Sequence, residues 1–116
     1  VSEVQSTRLA VATEFAQKWG VVLVLKGAGT LVALPDGRCY LNHTGNPGMA
    51  RGGSGDILAG MVGSFIAQGI EASAAARMAV YLHGLAGDRC AEKFSMQGML
   101  PTDMLSQLPS LFLEME

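Results

Sequence analysis

Five consecutive aliphatic residues, Val21-Val22-Leu23-Val24-Leu25, constrain the fold more than any other stretch of the chain. A strand with one wet face alternates polar and apolar residues. An unbroken β-branched and aliphatic run instead suits a strand covered on both faces, as in a parallel sheet packed between helices. Parallel strands are joined by helical crossovers, and a doubly wound sheet needs several of them. Only this run reads as central, so the remainder of such a sheet is expected to lie outside these 116 residues.

The neighbouring segments predict an α-β-β-β-α-α order. From Glu3 to Trp19, Leu9, Ala12, Phe15, Ala16 and Trp19 recur at helical spacing, with Arg8, Glu14 and Lys18 on the other side. Gly20 ends this amphipathic helix. Leu31 to Leu34 and Cys39 to Asn42 flank Pro35-Asp36-Gly37-Arg38, a turn sequence, and are expected to form a hairpin. After a loop from His43 to Gly55 come two apolar helices, Ser54–Gln68 and Ala72–Ala91, and a short one starting at Pro101, a residue suited to a first helical position. No internal repeat or linker separates a second domain.

Composition narrows the partners. Apolar residues make up 49% of the chain and charged ones 16%, against roughly 25% charged in an ordinary soluble domain. A small domain has the most surface to cover with polar groups, so part of the apolar surface is expected to meet other protein. Val1 is not an initiator methionine; the chain is processed or cut from something longer, and the composition fits the second. With a net charge of −2 and no Lys/Arg run, nothing provides the footprint of a nucleic-acid or membrane-surface binder. Ile57 to Ile70 is strongly apolar but too short to span a bilayer and reads as a core helix. Cys39 and Cys90 fit neither a metal pattern nor a disulfide framework, so reduced packing thiols in a cytoplasm-like compartment are expected.

The chemistry is concentrated in Thr44-Gly45-Asn46-Pro47-Gly48-Met49-Ala50-Arg51-Gly52-Gly53-Ser54-Gly55-Asp56. Five glycines between Gly45 and Gly55 let the backbone approach a ligand and turn N–H groups inward, and the apolar helix that follows adds its positive end. That combination binds phosphate. Asp56 is the only ionisable residue between Arg51 and Glu71. Beside an anion site it can serve as a general base toward a substrate hydroxyl; it can equally be a helix cap, with the glycines a flexible connection.

Further motifs carry a resemblance. Lys26-Gly27-Ala28-Gly29-Thr30 after the strand, then Pro35-Asp36-Gly37, Thr44 to Ala50, and Gly52-Gly53-Ser54-Gly55-Asp56 are similar, in order and spacing, to the NAD(P)H-hydrate dehydratase family. Tyr81-Leu82-His83-Gly84-Leu85-Ala86-Gly87-Asp88 resembles that family's penultimate helix. The similarity covers nearly the whole chain and corresponds to the family's C-terminal half. It implies part of a single ribokinase-like domain, a three-layer α/β/α sandwich, over residues 1–116. The implied activity is repair of hydrated NADH or NADPH: the hydrate hydroxyl is phosphorylated with ADP or ATP, and loss of phosphate restores the ring double bond. Homo-oligomers are usual in the family.

Carried over position by position, the resemblance implies that Lys26, Gly27, Ala28, Gly29 and Thr30 bind the nucleotide together with Gly55. Asp56 contacts the hydrate and acts as base, while amides of Gly52 to Gly55, Gly53 and Gly55 among them, stabilise charge on the transferred phosphoryl group. Mg²⁺ is expected from the chemistry, although no ligand cluster for it stands in the sequence. Against these roles, Lys26 can be a solvated turn lysine and Thr30 a plain strand residue. His43 reads as a loop hydrogen-bonder, His83 as a hydrogen-bonded core residue, and Met49, Met61 and Met78 as gap-fillers. Arg51 stands where the family more often has a small residue and can reach a phosphate or point to solvent. A histidine-containing segment that precedes the first helix in the family has no counterpart here. Two other readings share these motifs: a ribokinase-like kinase of a small alcohol, and a non-catalytic fragment that associates through its sheet edge and apolar faces.

Overall fold

The computed structural model describes residues 3–115, with side chains from Ser6 onward. Helix α1 spans Glu3–Trp19 and closes on Gly20, whose left-handed φ of 63° lets Val21 N–H reach back to the Ala16 carbonyl (3.1 Å), a Schellman ending. Strands β1 (Leu23–Leu25), β2 (Leu31–Ala33) and β3 (Cys39–Leu41) follow. Helices α2 (Ser54–Ala67), α3 (Ala72–Gly98) and α4 (Pro101–Glu114) complete the chain.

The sheet has the order β1-β2-β3 with both pairings antiparallel. The hairpin forms as expected: Val32 faces Tyr40 across it, and the turn closes through Leu34 N–H to the Arg38 carbonyl (2.8 Å) and Gly37 N–H to the Leu34 carbonyl (3.1 Å). The parallel neighbours expected for the Val21–Leu25 run are not among the described residues, in keeping with a sheet whose remainder lies outside them. Among the described residues β1 pairs only with β2, antiparallel, and is half-buried, whereas β2 lies in the middle and is fully buried. An apolar run reports burial of both faces; it carries no information about the direction of the neighbouring strand.

Both faces are indeed covered, because successive side chains alternate across a strand. Leu31 and Ala33 pack with Ala12 and Ala16 of α1, while Val32 and Leu34 join the larger core built by α2, α3 and α4. The result is an α/β/α layering. Helix α1 meets the sheet on a narrower stripe than its sequence suggests. Ala12 and Ala16 are fully buried, but Leu9, Phe15 and Trp19 are 45%, 46% and 61% exposed, because only the small alanine row allows the helix to lie close on the sheet.

Two helix boundaries also differ from expectation. Helix α3 continues past Ala91 to Gly98, broken at Ser95 by a left-handed φ of 67°, and α4 is not short but runs 14 residues with Pro109 inside it. Met61 is buried and Met49 and Met78 pack against the same core, as gap-fillers do. Cys39 and Cys90 are free, and burial pushes both thiols above their ordinary pKa. No described helix is long and apolar enough to cross a membrane.

Candidate active site

Lys26 to Thr30 form the turn between β1 and β2. Arg8 of α1 holds this turn from below, donating from Nη1 to the carbonyls of Ala28 (3.1 Å) and Gly29 (3.2 Å) and from Nη2 to that of Leu25 (3.3 Å). The guanidinium lies so close that a Cβ on Gly27 would stand 3.0 Å from Arg8 Nη2. Thr30 adds its hydroxyl to the Gly27 carbonyl (3.4 Å). With its carbonyls engaged from the α1 side, the turn carries Lys26 exposed on its other side.

The Lys26 ammonium then reaches the start of α2, where a Cβ on Gly55 would sit only 2.5 Å from its Nζ. The two segments expected to share a nucleotide are therefore neighbours, and Gly55 is the residue that leaves room for the lysine. The α2 start is cationic in its own right. Its cap position is Gly53, in a left-handed conformation (φ 100°), and no side chain caps the exposed N–H groups. An ammonium beside the positive end of a helix favours an anion at that place. Asp56 lies in the first turn, exposed, and does not cap the helix, which removes the capping alternative. It borders an apolar groove of about 490 Å³ between α2 and α4, lined also by Ile57, Phe65, Leu108 and Phe112.

The loop that leads here is packed against α3 and is no flexible connection. Asn42 Nδ2 bonds Thr44 Oγ1 (2.9 Å) and the Val80 carbonyl (3.4 Å), and Thr44 Oγ1 donates to the Tyr81 carbonyl (2.9 Å). Asp88 receives Gly45 N–H and Asn46 Nδ2, each at 3.0 Å. A Cβ on Gly87 would fall 2.3 Å from Met49 Sδ, so this helix face is shaped to the loop. Arg51 donates to the Gln97 carbonyl, which gives it a partner at the end of α3 and no part in the Lys26 cluster. His43, expected to hydrogen-bond within the loop, is exposed, and among the described residues its ring has no partner.

His83 is buried, and its Nε2 lies 3.0 Å from the Ser54 carbonyl and 3.3 Å from Ser54 Oγ, so the core histidine expected from its apolar neighbours also holds the first residue of α2. Burial, with a smaller contribution from the Lys26 charge, holds its pKa below the ordinary 6.5. Above that value both the folded and the unfolded chain carry neutral imidazole. As pH falls below it, the unfolded chain takes up a proton that the folded chain resists, so stability declines with acidification. The melting temperature is expected to fall between pH 6.5 and 5 in the native protein and to fall less in His83→Gln, whose amide can still donate to the Ser54 carbonyl. Carboxylates with lowered pKa, such as Asp36 and Glu71, act at lower pH and leave this window to the histidine. An unchanged slope in the variant would remove His83 as its origin.

Arg8 and Asp88 were not singled out by residue chemistry. Arg8, expected on the polar side of α1 with Glu14 and Lys18, instead stands one helical turn before Ala12 and two before Ala16, on the row that faces the sheet; the i, i+4, i+8 spacing of 8, 12 and 16 is the signal that places it there. Asp88 ends the Ala- and Gly-rich stretch of α3, equally out of place among small residues.

Helices on both sides of a small sheet, with a glycine loop feeding an uncapped helix, form an α/β/α layering with an anion-ready edge, and solved ribokinase-like structures share it. The family model described as NAD(P)H-hydrate dehydratase matches residues 1–110. The chain is 44% identical to the bifunctional NAD(P)H-hydrate repair enzyme of Moorella thermoacetica, over 99% of this chain and 22% of that protein. It is 37% identical to the ADP-dependent (S)-NAD(P)H-hydrate dehydratase of Bacillus subtilis, over 100% of this chain and 42% of that protein. A crystal structure of the ADP/ATP-dependent NAD(P)H-hydrate dehydratase from Bacillus subtilis, co-crystallised with ATP and Mg²⁺, superposes with a TM-score of 0.90 at 37% identity and covers 98% of this chain and 41% of that one. A ribokinase-like superfamily protein from Enterococcus faecalis superposes with a TM-score of 0.78 at 37% identity, over 91% of this chain and 36% of that one. The chain belongs to the NAD(P)H-hydrate dehydratase family. It spans less than half the length of these relatives.

Proposed function

We propose that this chain supplies the nucleotide- and base-bearing part of a dehydratase that repairs hydrated NADH and NADPH at the expense of ADP or ATP. One observation carries the reading: Lys26 and the uncapped start of α2 converge at Gly55, one residue from the exposed carboxylate of Asp56. Positive charge and free N–H groups suit a terminal phosphoryl group, and a carboxylate beside them suits a hydroxyl that must lose its proton.

In this reading Asp56 takes the proton of the hydrate hydroxyl, whose oxygen bonds to the terminal phosphorus as the bond to the nucleotide leaving group breaks. Amides at Gly53 and Gly55, with the Lys26 ammonium, stabilise charge on the moving phosphoryl group. Gly27, Ala28, Gly29 and Thr30 hold the rest of the nucleotide. Phosphate then leaves the carbon that carried the hydroxyl, a proton leaves the adjacent ring carbon, and the double bond returns. Among the described residues no group of three could hold a metal ion, so Mg²⁺ would arrive on the nucleotide phosphates. The same proposal has residues 1–116 as part of one ribokinase-like domain, working as a homo-oligomer in a reducing, cytoplasm-like compartment.

The test is recovery of reduced-nicotinamide absorbance from NADH hydrate with ADP or ATP and Mg²⁺, in full-length protein. Nucleotide-dependent recovery is the expected result. A phosphorylated product that accumulates would point to a small-alcohol kinase, and an absence of nucleotide-dependent turnover would leave the non-catalytic reading.

A further inference from the structure

Besides His83, which grips Ser54 at the far end of the glycine loop, α3 places one carboxylate at the near end. Both oxygens of Asp88 are used: Oδ2 receives Gly45 N–H and Oδ1 receives Asn46 Nδ2, each at 3.0 Å. Asn46 passes the constraint on, its Oδ1 receiving Gly48 N–H at 2.9 Å and capping the short turn Pro47–Met49. Gly45 adopts the left-handed conformation (φ 107°) that puts its N–H under the carboxylate. An ionised carboxylate only accepts, so it fixes which end of the Asn46 amide faces it, and hydrogen bonds to a charged group are about twice as strong as neutral ones. The conformation of the loop is thereby set from outside the loop.

We propose that Asp88 is a positioning residue: acting through Asn46, it fixes the glycine loop so that the start of α2 and Asp56 are presented to ligand in one geometry. The catalytic part of this statement rests on the dehydratase reading above; the conformational part does not. Asp88 touches neither Lys26 nor Asp56, and its effect reaches the site through the backbone between Gly48 and Gly53. Misplacing reacting groups by about 1 Å costs on the order of 100-fold in rate.

The donor and acceptor pattern supplies its own test. In Asp88→Asn, the new amide oxygen can still receive Gly45 N–H, but its NH₂ then faces the NH₂ of Asn46. Turning the Asn46 amide would place NH₂ against Gly48 N–H, so one bond is lost either way. Asn46→Asp in that background restores all three bonds: the new amide at position 88 donates, and the new carboxylate at position 46 receives both that amide and Gly48 N–H.

Amide hydrogen exchange of peptides covering residues 44–55 and turnover kinetics are measured on full-length protein, wild type, single variant and double variant. The single variant is expected to exchange faster in this segment. Its kcat should drop roughly 10- to 100-fold, while KM for the nucleotide changes little and the melting temperature stays close to wild type. The double variant recovers both protection and kcat. Unchanged exchange in the single variant, failure of the double variant to restore it, or a kcat loss matched by rising KM and falling melting temperature would each overturn the proposal. If wild type does not repair the hydrate, the dehydratase reading fails while the exchange series still decides the role of Asp88.

Discussion

Asp56→Asn is expected to reduce nucleotide-dependent hydrate repair by about 10²- to 10⁴-fold, the range that a general base supplies, with the fold intact. Asparagine matches the shape of aspartate and cannot accept the hydroxyl proton at neutral pH. The side chain is exposed, and among the described residues none hydrogen-bonds to it, so little packing is disturbed. The loss of a negative charge from the first turn of α2 removes a favourable interaction with the helix dipole, worth about 0.3–1 kcal/mol. A small drop in melting temperature beside a large drop in kcat is therefore the expected pattern. Turnover within about threefold of wild type would show that the proton goes elsewhere and that Asp56 is not the base.

Gly84→Ala is expected to have the largest effect on stability. A Cβ there would lie 1.9 Å from Thr44 Oγ1, 2.6 Å from Thr44 Cβ and 2.7 Å from its carbonyl carbon. The last of these is backbone, so no rotamer change relieves the clash. Alanine would gain about 1 kcal/mol of helix propensity over glycine, but overpacking of this kind costs about 1–3 kcal/mol or more. Displacing Thr44 also breaks its bond to the Tyr81 carbonyl. Sterics win, and a melting temperature lower by roughly 10 °C follows. The same substitution at Gly63, with nothing within 4 Å of its Cβ, should raise stability by up to about 1 kcal/mol. Equal shifts for the two variants would show that the α3 contact with the loop is not what Gly84 provides.

Much of this architecture is legible in the sequence because it depends on local patterns. The hairpin follows from Pro35-Asp36-Gly37-Arg38, and the start of α2 from the end of the glycine run. What escapes is set by contacts between distant residues. The Val21–Leu25 run shows two covered faces but not the antiparallel partner. The spacing in α1 marks Phe15 and Trp19 as apolar, yet only the alanines fit against the sheet. Helix α3 outlasts its predicted end because Glu92, Lys93 and Phe94 continue it on the outside of the core, up to the break at Ser95, beyond which a further short helical segment reaches Gly98. In the candidate site, Lys26, Gly55 and Asp56 are found by motif, whereas Arg8 and Asp88 work across 17 to 43 residues of sequence and no short pattern encodes such a reach.

Helix α3 holds the loop with the carbonyls of Val80 and Tyr81, with the bare Cα positions of Gly84 and Gly87, and with two functional side chains, Asp88 at its near end and His83 at its far end. Main-chain atoms and missing side chains do most of the holding. The instruction for this surface is consequently written almost entirely as restraint on size. A sequence can wander in chemical character at 81, where the side chain is half exposed, without losing the carbonyl bond, while Val80 is held by the core; it has nowhere to go at 84, where the smallest addition to the chain already trespasses on its neighbour.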